Sequence, residues 1–389
     1  MKKVGLITYY GDNYGGVLQA YALARMVADN GYECEIISND FLWLWSGVRK
    51  YLRKWNNLME AIRNPAGYLK KRKTYRRYRP QQASRHARFE DFRSRNLRIR
   101  KTGYSTYQEY LNDPPRYDIY LCGSDQIWNP NLYCDNGFYF AGFAPEKALK
   151  ISYASSIGVS SVTGKQADFM APLLNRLDIV STREQKGAQI INRISRKKAA
   201  VVLDPTLLLD AEAWSKAAAP RLIEEEYVFC YLFGERDYIA EVKGKVAELT
   251  GLKVVCIPFA ARELESDDEK IFDAGPAEFI SLIQNASLVL TDSFHATAFS
   301  LNLKTPFLSL CRFARDDKKG MNDRLVTLLT MVGLQNRLVD AGDAIPAERL
   351  LEVDFEKAHD RLERKRREDL RFLLEALSYD KEGVSDGDL

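Results

Sequence analysis

The stretch KVGLITYYGDNYGGVLQAYALARMVADNGYECEIIS, residues 3–38, decides the fold class. It opens with an apolar, β-rich run and passes through the loop GDNYGG into a segment with apolar residues at helical spacing. Gly31 stands where that helix would end, and ECEIIS predicts a second strand. A strand, a helix and another strand in this order begin a parallel α/β sheet.

The same alternation continues along the chain. Apolar runs end in small polar residues at 117–128, 150–158 and 199–209, and a second series of strands and helices begins with YVFCYLFG. We therefore predict two Rossmann-like domains that face each other across a cleft. The predicted boundaries are 1–210 for the first domain, 226–350 for the second, and 355–378 for a helix that packs back across both. Because parallel strands end at one edge of a sheet, loops that contact a ligand should gather there.

Composition indicates an ordinary globular protein. The 389 residues are 46% hydrophobic and 28% charged. The six cysteines are scattered without a CxxC pair, which favours buried thiols in a reducing compartment over a metal site. No apolar run reaches the ~20 residues of a membrane-spanning helix, and the strand-like N-terminus does not resemble a signal peptide. We expect a cytoplasmic protein.

A basic segment, 41–101, interrupts the alternation and predicts a mostly helical insertion. Between Trp45 and Lys101 there are 19 Lys and Arg residues against three acidic ones, whereas the whole chain carries only +4. This charge indicates either a solvated helix face or contact of 45–101 with phosphate-bearing substrates or an anionic membrane. Nucleic acid is not expected, because no reader motif accompanies the charge.

The segment DSFHATAFS, residues 292–300, predicts a turn between a strand and a helix. Asp292 or Ser293 could cap the helix, which would place His295 in its first turn. An imidazole there could act as a general acid or base. It could equally be a histidine that is satisfied by hydrogen bonds in a domain interface.

Other loops at predicted strand ends carry polar side chains. The planar guanidinium of Arg183 could bind a carboxylate or phosphate of a ligand, or it could form a local ion pair. Glu184 could cap the next helix. The segment CGSDQIWN combines Ser124, Asp125 and Trp128, a polar and aromatic set that could bind a sugar. Alternatively, Ser124 and Asp125 cap a helix and Trp128 packs in the core. The glycines of GDNYGG allow a close approach of the backbone to a ligand, but they form neither a GxGxxG motif nor a P-loop.

Six segments, taken in order, resemble the polysaccharide pyruvyl transferase family: GLITYYGDNYGGVLQAYAL, DIYLCGSDQIWN, ISYASSIG, DIVSTREQKGAQII, VVLDPTLLL and LVLTDSFHATAFSLNLKTPF. The resemblance implies a two-domain fold like that of the GT-B glycosyltransferases. It implies transfer of the enolpyruvyl group of phosphoenolpyruvate to a sugar, usually as a ketal that bridges two hydroxyls. It implies no metal and no organic cofactor.

The resemblance also implies roles for single residues. His295 matches the family's active-site histidine and would act as general acid, while Arg183 would hold the carboxylate or phosphate of the donor. Some members carry Arg-Leu-His where this chain has Ser293-Phe294-His295, so one expected cation is missing. Candidates to replace it are Arg312, Arg315, Lys318 and Lys319.

We expect the two substrates to bind at the carboxyl edges of the two sheets. The residues expected to contact the donor are Ser293, Asp292, Glu184, Arg312, Ser155 and Gly158. The residues expected to contact the acceptor are Asn13, Tyr14, Gly15, Gly123, Ser124, Asp125 and Trp128. The acceptor would be a sugar of a polysaccharide or of a lipid-linked glycan precursor at the inner membrane face. Two other functions stay open: a GT-B-type glycosyltransferase that uses a nucleotide sugar, and a non-catalytic glycan- or membrane-binding protein.

Overall fold

A computed structural model describes residues 1–39, 65–132, 136–259, 261–314, 322–345, 347 and 350–381. For 66–79 and 261 it describes the backbone alone. The first part of the predicted insertion, 41–64, lies outside the described residues, as do Arg315, Lys318 and Lys319.

The N-terminal lobe is built on a five-stranded parallel sheet. Its strands are β1 (Lys3–Ile7), β2 (Glu33–Ile37), β3 (Ile99–Arg100), β4 (Ile119–Cys122) and β5 (Leu149–Ser152). Their spatial order is β3-β2-β1-β4-β5. Every residue of β4 and β5 is buried, which is typical of parallel strands covered on both faces. A separate parallel pair is formed by β6 (Ser181–Thr182) and β7 (Ala200–Val201).

Five helices belong to this part of the chain. They are α1 (Tyr14–Asp29), α2 (Pro65–Asn96), α3 (Tyr107–Asn112), α4 (Gly164–Asn175) and α5 (Gln185–Ile194). Helix α1 begins at Asn13, whose side chain accepts a hydrogen bond from the Gly16 N–H at 2.9 Å. Helix α2 forms the second half of the basic segment, so that half is helical as the sequence predicts.

The C-terminal lobe contains a second parallel sheet, ordered β10-β9-β8-β11-β12-β13. Its strands are β8 (Tyr227–Tyr231), β9 (Lys253–Cys256), β10 (Glu269–Lys270), β11 (Leu288–Thr291), β12 (Phe307–Leu310) and β13 (Leu338–Val339). The helices from here to the C-terminus are α6 (Ala211–Ala217), α7 (Asp237–Thr250), α8 (Ala261–Glu265), α9 (Pro276–Gln284), α10 (Phe294–Asn302), α11 (Asp323–Val332) and α12 (Phe355–Ser378). These two sheets confirm the predicted α/β class with two Rossmann-like units.

Strand order reverses once in each sheet. In the first sheet the reversal lies between β1 and β4, and in the second it lies between β8 and β11. The crevice outside the carboxyl ends of the strands at such a reversal is where open α/β sheets bind ligands. A ligand site is therefore expected in the loops that follow these four strands.

Two helices tie the lobes together. On α12, the guanidinium of Arg366 donates to the Leu207 carbonyl at 2.7 Å and to the Asn302 side chain at 3.0 Å. On α2, Arg88 forms a 2.9 Å ion pair with Asp273, which precedes α9. The second half of the basic segment is consequently an internal brace and not only a charged surface.

Candidate active site

A cavity of about 260 Å³ lies between the lobes at the carboxyl ends of both sheets. From the N-terminal lobe it is lined by Tyr9, Asn13, Gly15, Asp125, Gln126 and Leu132. From the C-terminal lobe it is lined by Tyr231, Phe233, Ser293, Phe294, His295, Arg312 and Arg324. The loops after β1, β4, β8 and β11 all contribute, as the reversal of strand order leads one to expect.

His295 lies in the first turn of α10, where the sequence predicts it. Ser293 begins this helix by accepting a hydrogen bond from the Ala296 N–H. The histidine is only 8% exposed, and its Nε2 lies 3.3 Å from Arg183 Nη1 and 3.6 Å from Asp204 Oδ2. The imidazole therefore lies between a guanidinium and a carboxylate of the opposite lobe.

Arg183 lies beneath the cavity wall instead of in it. Its Nη1 donates to Asp204 at 2.5 Å and its Nη2 to Asp125 at 3.1 Å, and its side chain is fully buried. The guanidinium carbon lies 4.7 Å from the centre of the Phe294 ring. In this structure the Arg183 guanidinium contacts two carboxylates and His295, and its expected contact with the donor stays a prediction.

Asp204 is a residue of this site that the sequence analysis does not single out. Its carboxylate accepts hydrogen bonds from Ser124 Oγ at 2.8 Å and Thr206 Oγ1 at 2.7 Å, besides that from Arg183. Burial alone would raise the pKa of Asp204, but the charges of His295 and Arg183 hold this pKa far below its usual range. The sequence feature that could have indicated Asp204 as a site residue is its place directly after the apolar run AAVVL.

Asp125 combines an unusual backbone with a place in the cavity wall. Its φ is +70°, a left-handed conformation that aspartate tolerates better than most residues. Such conformations cost of the order of 1–3 kcal/mol and are typical of functional sites. Although burial would raise the pKa of Asp125, the charges of Arg183, His295 and Arg324 lower it, so the carboxylate stays ionised.

Gly15 gives the imidazole its space. This glycine is the second residue of α1, and a Cβ added there would stand only 1.9 Å from His295 Nδ1. In this structure the GDNYGG backbone closely approaches the histidine of the opposite lobe, and its approach to a ligand stays a prediction.

The two arginines in the cavity wall differ in their partners. Arg312 forms hydrogen bonds to both carboxylate oxygens of Asp292, at 3.1 and 3.2 Å. Asp292 also accepts the N–H groups of Phe233 and Gly234 and is buried. Asp292 thus ties together the loops after β8 and β12, and its expected contact with the donor stays a prediction. Arg324, which the sequence analysis missed, has a buried Nε with no hydrogen-bond partner.

Two aromatic residues that were expected to bind the acceptor belong to the core. Tyr14 stacks on Phe279 with ring centres 4.4 Å apart, and its hydroxyl donates to the Ala274 carbonyl at 2.6 Å. Trp128 stacks on Phe140 with ring centres 5.3 Å apart. Neither side chain is more than 1% exposed, so neither offers a face to a sugar in this structure.

The remaining expected contacts support the loops around the cavity without lining it. Glu184 Oε1 accepts the N–H groups of Ile157 at 2.8 Å and Gly158 at 3.1 Å, and burial raises the pKa of this carboxyl. Ser155 Oγ donates to the Gly123 carbonyl at 2.8 Å. Ser124 is bonded to the Asp204 carboxylate. The predicted contacts of these residues with donor and acceptor stay predictions.

One cluster among the described residues has the spacing of metal ligands. The ligand atoms of Cys256, Glu263 and Asp268 lie within 4.8 Å of one another. The Lys243 ammonium already bonds to both carboxylates, at 3.1 Å to Glu263, and none of these residues lines the cavity.

The facing sheets and the shared cavity define a two-domain architecture of the GT-B type. Within that class, this chain belongs to the polysaccharide pyruvyl transferase family, because the family model matches residues 13–310. This confirms the family that the sequence motifs indicated. No curated protein matches the chain in sequence.

Solved structures agree with this architecture. A protein of Listeria monocytogenes described as a UDP-N-acetylglucosamine 2-epimerase is 10% identical, with 96% of this chain and 95% of that chain covered and a TM-score of 0.53. The MnaA protein of S. aureus, solved with UDP, is 11% identical, with 99% and 100% covered and a TM-score of 0.50. At such identities the likeness concerns the fold alone. In the part of the chain that the structure describes, no helix has the length and hydropathy to cross a bilayer.

Proposed function

We propose that this protein transfers the enolpyruvyl group of phosphoenolpyruvate to a sugar of a polysaccharide or lipid-linked glycan precursor and forms a pyruvate ketal. The observation that carries the proposal is the position of His295. In a chain of this family, it lies in the wall of the interlobe cavity beside the Asp204 carboxylate. The start of α10 and Arg324 provide positive potential for a donor with a carboxylate and a phosphate, and Arg312, paired with Asp292, also lines the cavity.

The reaction would proceed in two additions to one carbon. The first sugar hydroxyl forms a C–O bond to the enol carbon and loses its proton, while the methylene carbon gains a proton and becomes a methyl group. Phosphate then leaves with the electrons of its C–O bond, and the second hydroxyl bonds to the same carbon and loses its proton. His295 would supply the proton to the methylene, and the ionised Asp125 would orient an attacking hydroxyl.

The test is direct. Purified protein is incubated with phosphoenolpyruvate and candidate sugars, and both phosphate release and the mass of the sugar product are measured. We expect acceptor-dependent phosphate release and a product that is heavier by one pyruvate less one water and carries a new carboxylate. His295→Gln should lower kcat by about 10²–10⁴-fold, whereas His359→Gln, in α12, should leave kcat unchanged. Glycosyl transfer from a nucleotide sugar, with no use of phosphoenolpyruvate, would overturn the proposal.

We also propose that the basic segment 45–101 brings the enzyme to glycan precursors at an anionic membrane surface. Its excess of positive charge supports this proposal. Because Arg88 and Arg93 are committed to ion pairs inside the protein, the test should reverse the run at 70–73, KKRK, to glutamate. Binding to vesicles that contain anionic lipid should weaken, while phosphate release with a soluble acceptor stays unchanged. Vesicle binding equal to that of the wild type would refute the membrane role.

A further inference from the structure

Arg324 is a cation at the cavity wall on which the charges of Glu184 and Asp125 act without an ion pair among the described residues. It lies in the first turn of α11, and none of the described carboxylates forms an ion pair or a hydrogen bond with its guanidinium. Its Nε is shielded from solvent and has no hydrogen-bond partner. A buried polar group without a partner costs free energy, and an anion bound in the cavity would give this one a partner.

The neighbouring arginines show by contrast what is unusual about Arg324. Arg183 is neutralised by two aspartates, and Arg312 by Asp292. Burial, followed by the charge of Arg183, lowers the pKa of Arg324 to about 10, so the guanidinium remains a cation at neutral pH in an environment that disfavours it. An anion bound in the cavity would relieve this cost.

The location of Arg324 also fits a substrate-binding role. Its guanidinium carbon lies 5.9 Å from the centre of the Phe294 ring, which places it beside the turn that carries His295. At that turn the Ser293 hydroxyl is used to cap α10 and supplies no charge. A cation on the cavity side of this turn therefore comes from other elements: Arg312, which is bonded to Asp292, and Arg324 from α11.

Contacts between the lobes hold α11 in place. The Lys186 N–H donates to Asp323 Oδ2 at 3.0 Å, and the Gln185 N–H donates to Thr327 Oγ1 at 3.4 Å. These bonds cap the N-terminus of α5 with side chains from α11, and Arg324 lies between the two capping residues in sequence. Docking of α11 on α5 consequently sets the position of the guanidinium.

We propose that Arg324 is the oxoanion-binding residue of this cavity and binds the carboxylate or the phosphate of the donor. The identity of the donor rests on the proposed function, whereas the anion site itself does not. Phosphate and pyruvate each offer one of the two groups, so their separate binding shows which group Arg324 holds. Arg324 would act by charge-assisted hydrogen bonds, which guanidinium forms readily with either group.

The experiment is a calorimetric titration of the full chain with phosphoenolpyruvate, inorganic phosphate and pyruvate. The variants are Arg324→Gln, Arg324→Lys and the control Arg364→Gln, which changes an exposed arginine on α12. We expect Arg324→Gln to weaken phosphoenolpyruvate binding roughly 10- to 100-fold. Arg324→Lys should lose less, and Arg364→Gln should bind like the wild type. Adding Ser293→Arg to Arg324→Gln should restore part of the affinity, because it supplies a cation to the same cavity from α10.

The outcomes separate this inference from the proposed function. If the wild type binds phosphoenolpyruvate and Arg324→Gln binds it equally well, Arg324 is not the anion site, and the proposed function is untouched. If the wild type binds phosphate in an Arg324-dependent way but does not bind phosphoenolpyruvate, the anion site stands and the proposed donor is wrong. If the folded wild type binds none of the three anions, both are overturned.

Discussion

Replacing Gly15 by alanine should disable the site while the protein stays folded. An alanine Cβ at this position would lie 1.9 Å from His295 Nδ1 and 2.4 Å from its Cγ, far inside any non-bonded contact distance. On its other side the ring faces Arg183 at 3.3 Å and Asp204 at 3.6 Å. The imidazole must therefore leave its place between these groups.

The size of the effect follows from this displacement. Restoring an ordinary contact of about 3.5 Å requires a shift of about 1.6 Å. A misplacement of about 1 Å can cost about 100-fold in rate, so kcat should fall about 100-fold or more. Overpacking lowers the free energy of unfolding by about 1–3 kcal/mol, and the change from glycine to alanine in a helix raises it by about 0.5–1 kcal/mol. The net loss of stability is small enough for the protein to remain folded.

The assay is phosphate release from phosphoenolpyruvate with an active acceptor, together with thermal unfolding. Because the chain has only three histidines, the ring resonances of His295 can be assigned by NMR and should shift in Gly15→Ala. The control is Gly244→Ala in α7, where an added Cβ meets nothing within 4 Å. It should keep kcat and gain about 0.5–1 kcal/mol of stability. A Gly15→Ala protein with normal kcat and an unshifted His295 resonance would refute the reasoning.

Three further substitutions separate stability from binding. Asp204→Asn should lower the free energy of unfolding, measured by urea denaturation, by about 3–5 kcal/mol at pH 7, because it breaks a buried pair. The folded-state pKa of Asp204 is lowered, so the difference between wild type and variant should be constant above about pH 5. It should shrink as the pH falls below about 4. Trp128→Phe should cost about 1–3 kcal/mol in thermal unfolding but leave kcat/KM for the acceptor unchanged, because the indole is a core group that donates to a carbonyl. Thr327→Val removes the cap of the Gln185 N–H and should cost about 0.5–1.5 kcal/mol. It should also raise the KM for the donor, whereas the exposed Thr330→Val should change neither.

Each of these expectations has a contrary outcome. A stability difference for Asp204→Asn that grows below pH 4 would mean that its folded-state pKa is not lowered. A stable Trp128→Phe protein with weakened acceptor binding would show that Trp128 contributes to the acceptor site. An unchanged KM in Thr327→Val would show that the cap does not position Arg324.

The sequence predicts the elements of this fold well because they depend on local patterns. Alternating strands and helices, and the turn that carries His295, follow from apolar periodicity and capping residues. The burial of Tyr14 and Trp128 could not be predicted, because the pattern places an aromatic residue near a strand end without showing which way its ring faces. A buried ring and a ring that lines a cleft have the same neighbours in sequence.

The roles of Asp204 and Arg324 at the cavity could not be predicted from the sequence for a different reason. Asp204 follows a strand, as do the polar residues that the sequence indicates as site candidates, so its place at the sheet edge was predictable. Its pairing with Arg183 was not, because the two residues lie about twenty positions apart and meet only in the folded chain. Arg324 lies in a helix with an apolar face, where an arginine normally indicates solvent exposure. Only the docking of α11 on the opposite lobe places it at the cavity, and no local pattern records that contact.

The division of charges between the lobes has a consequence for how substrates could enter. The imidazole of His295 belongs to the C-terminal lobe, whereas Asp204 and Arg183 both belong to the N-terminal lobe. Separation of the lobes would remove the histidine from its carboxylate but would leave the buried Arg183–Asp204 pair intact. Breaking a buried ion pair costs several kcal/mol, and the Arg183–Asp204 pair lies within one lobe. This pair therefore does not tie one lobe to the other across the cleft.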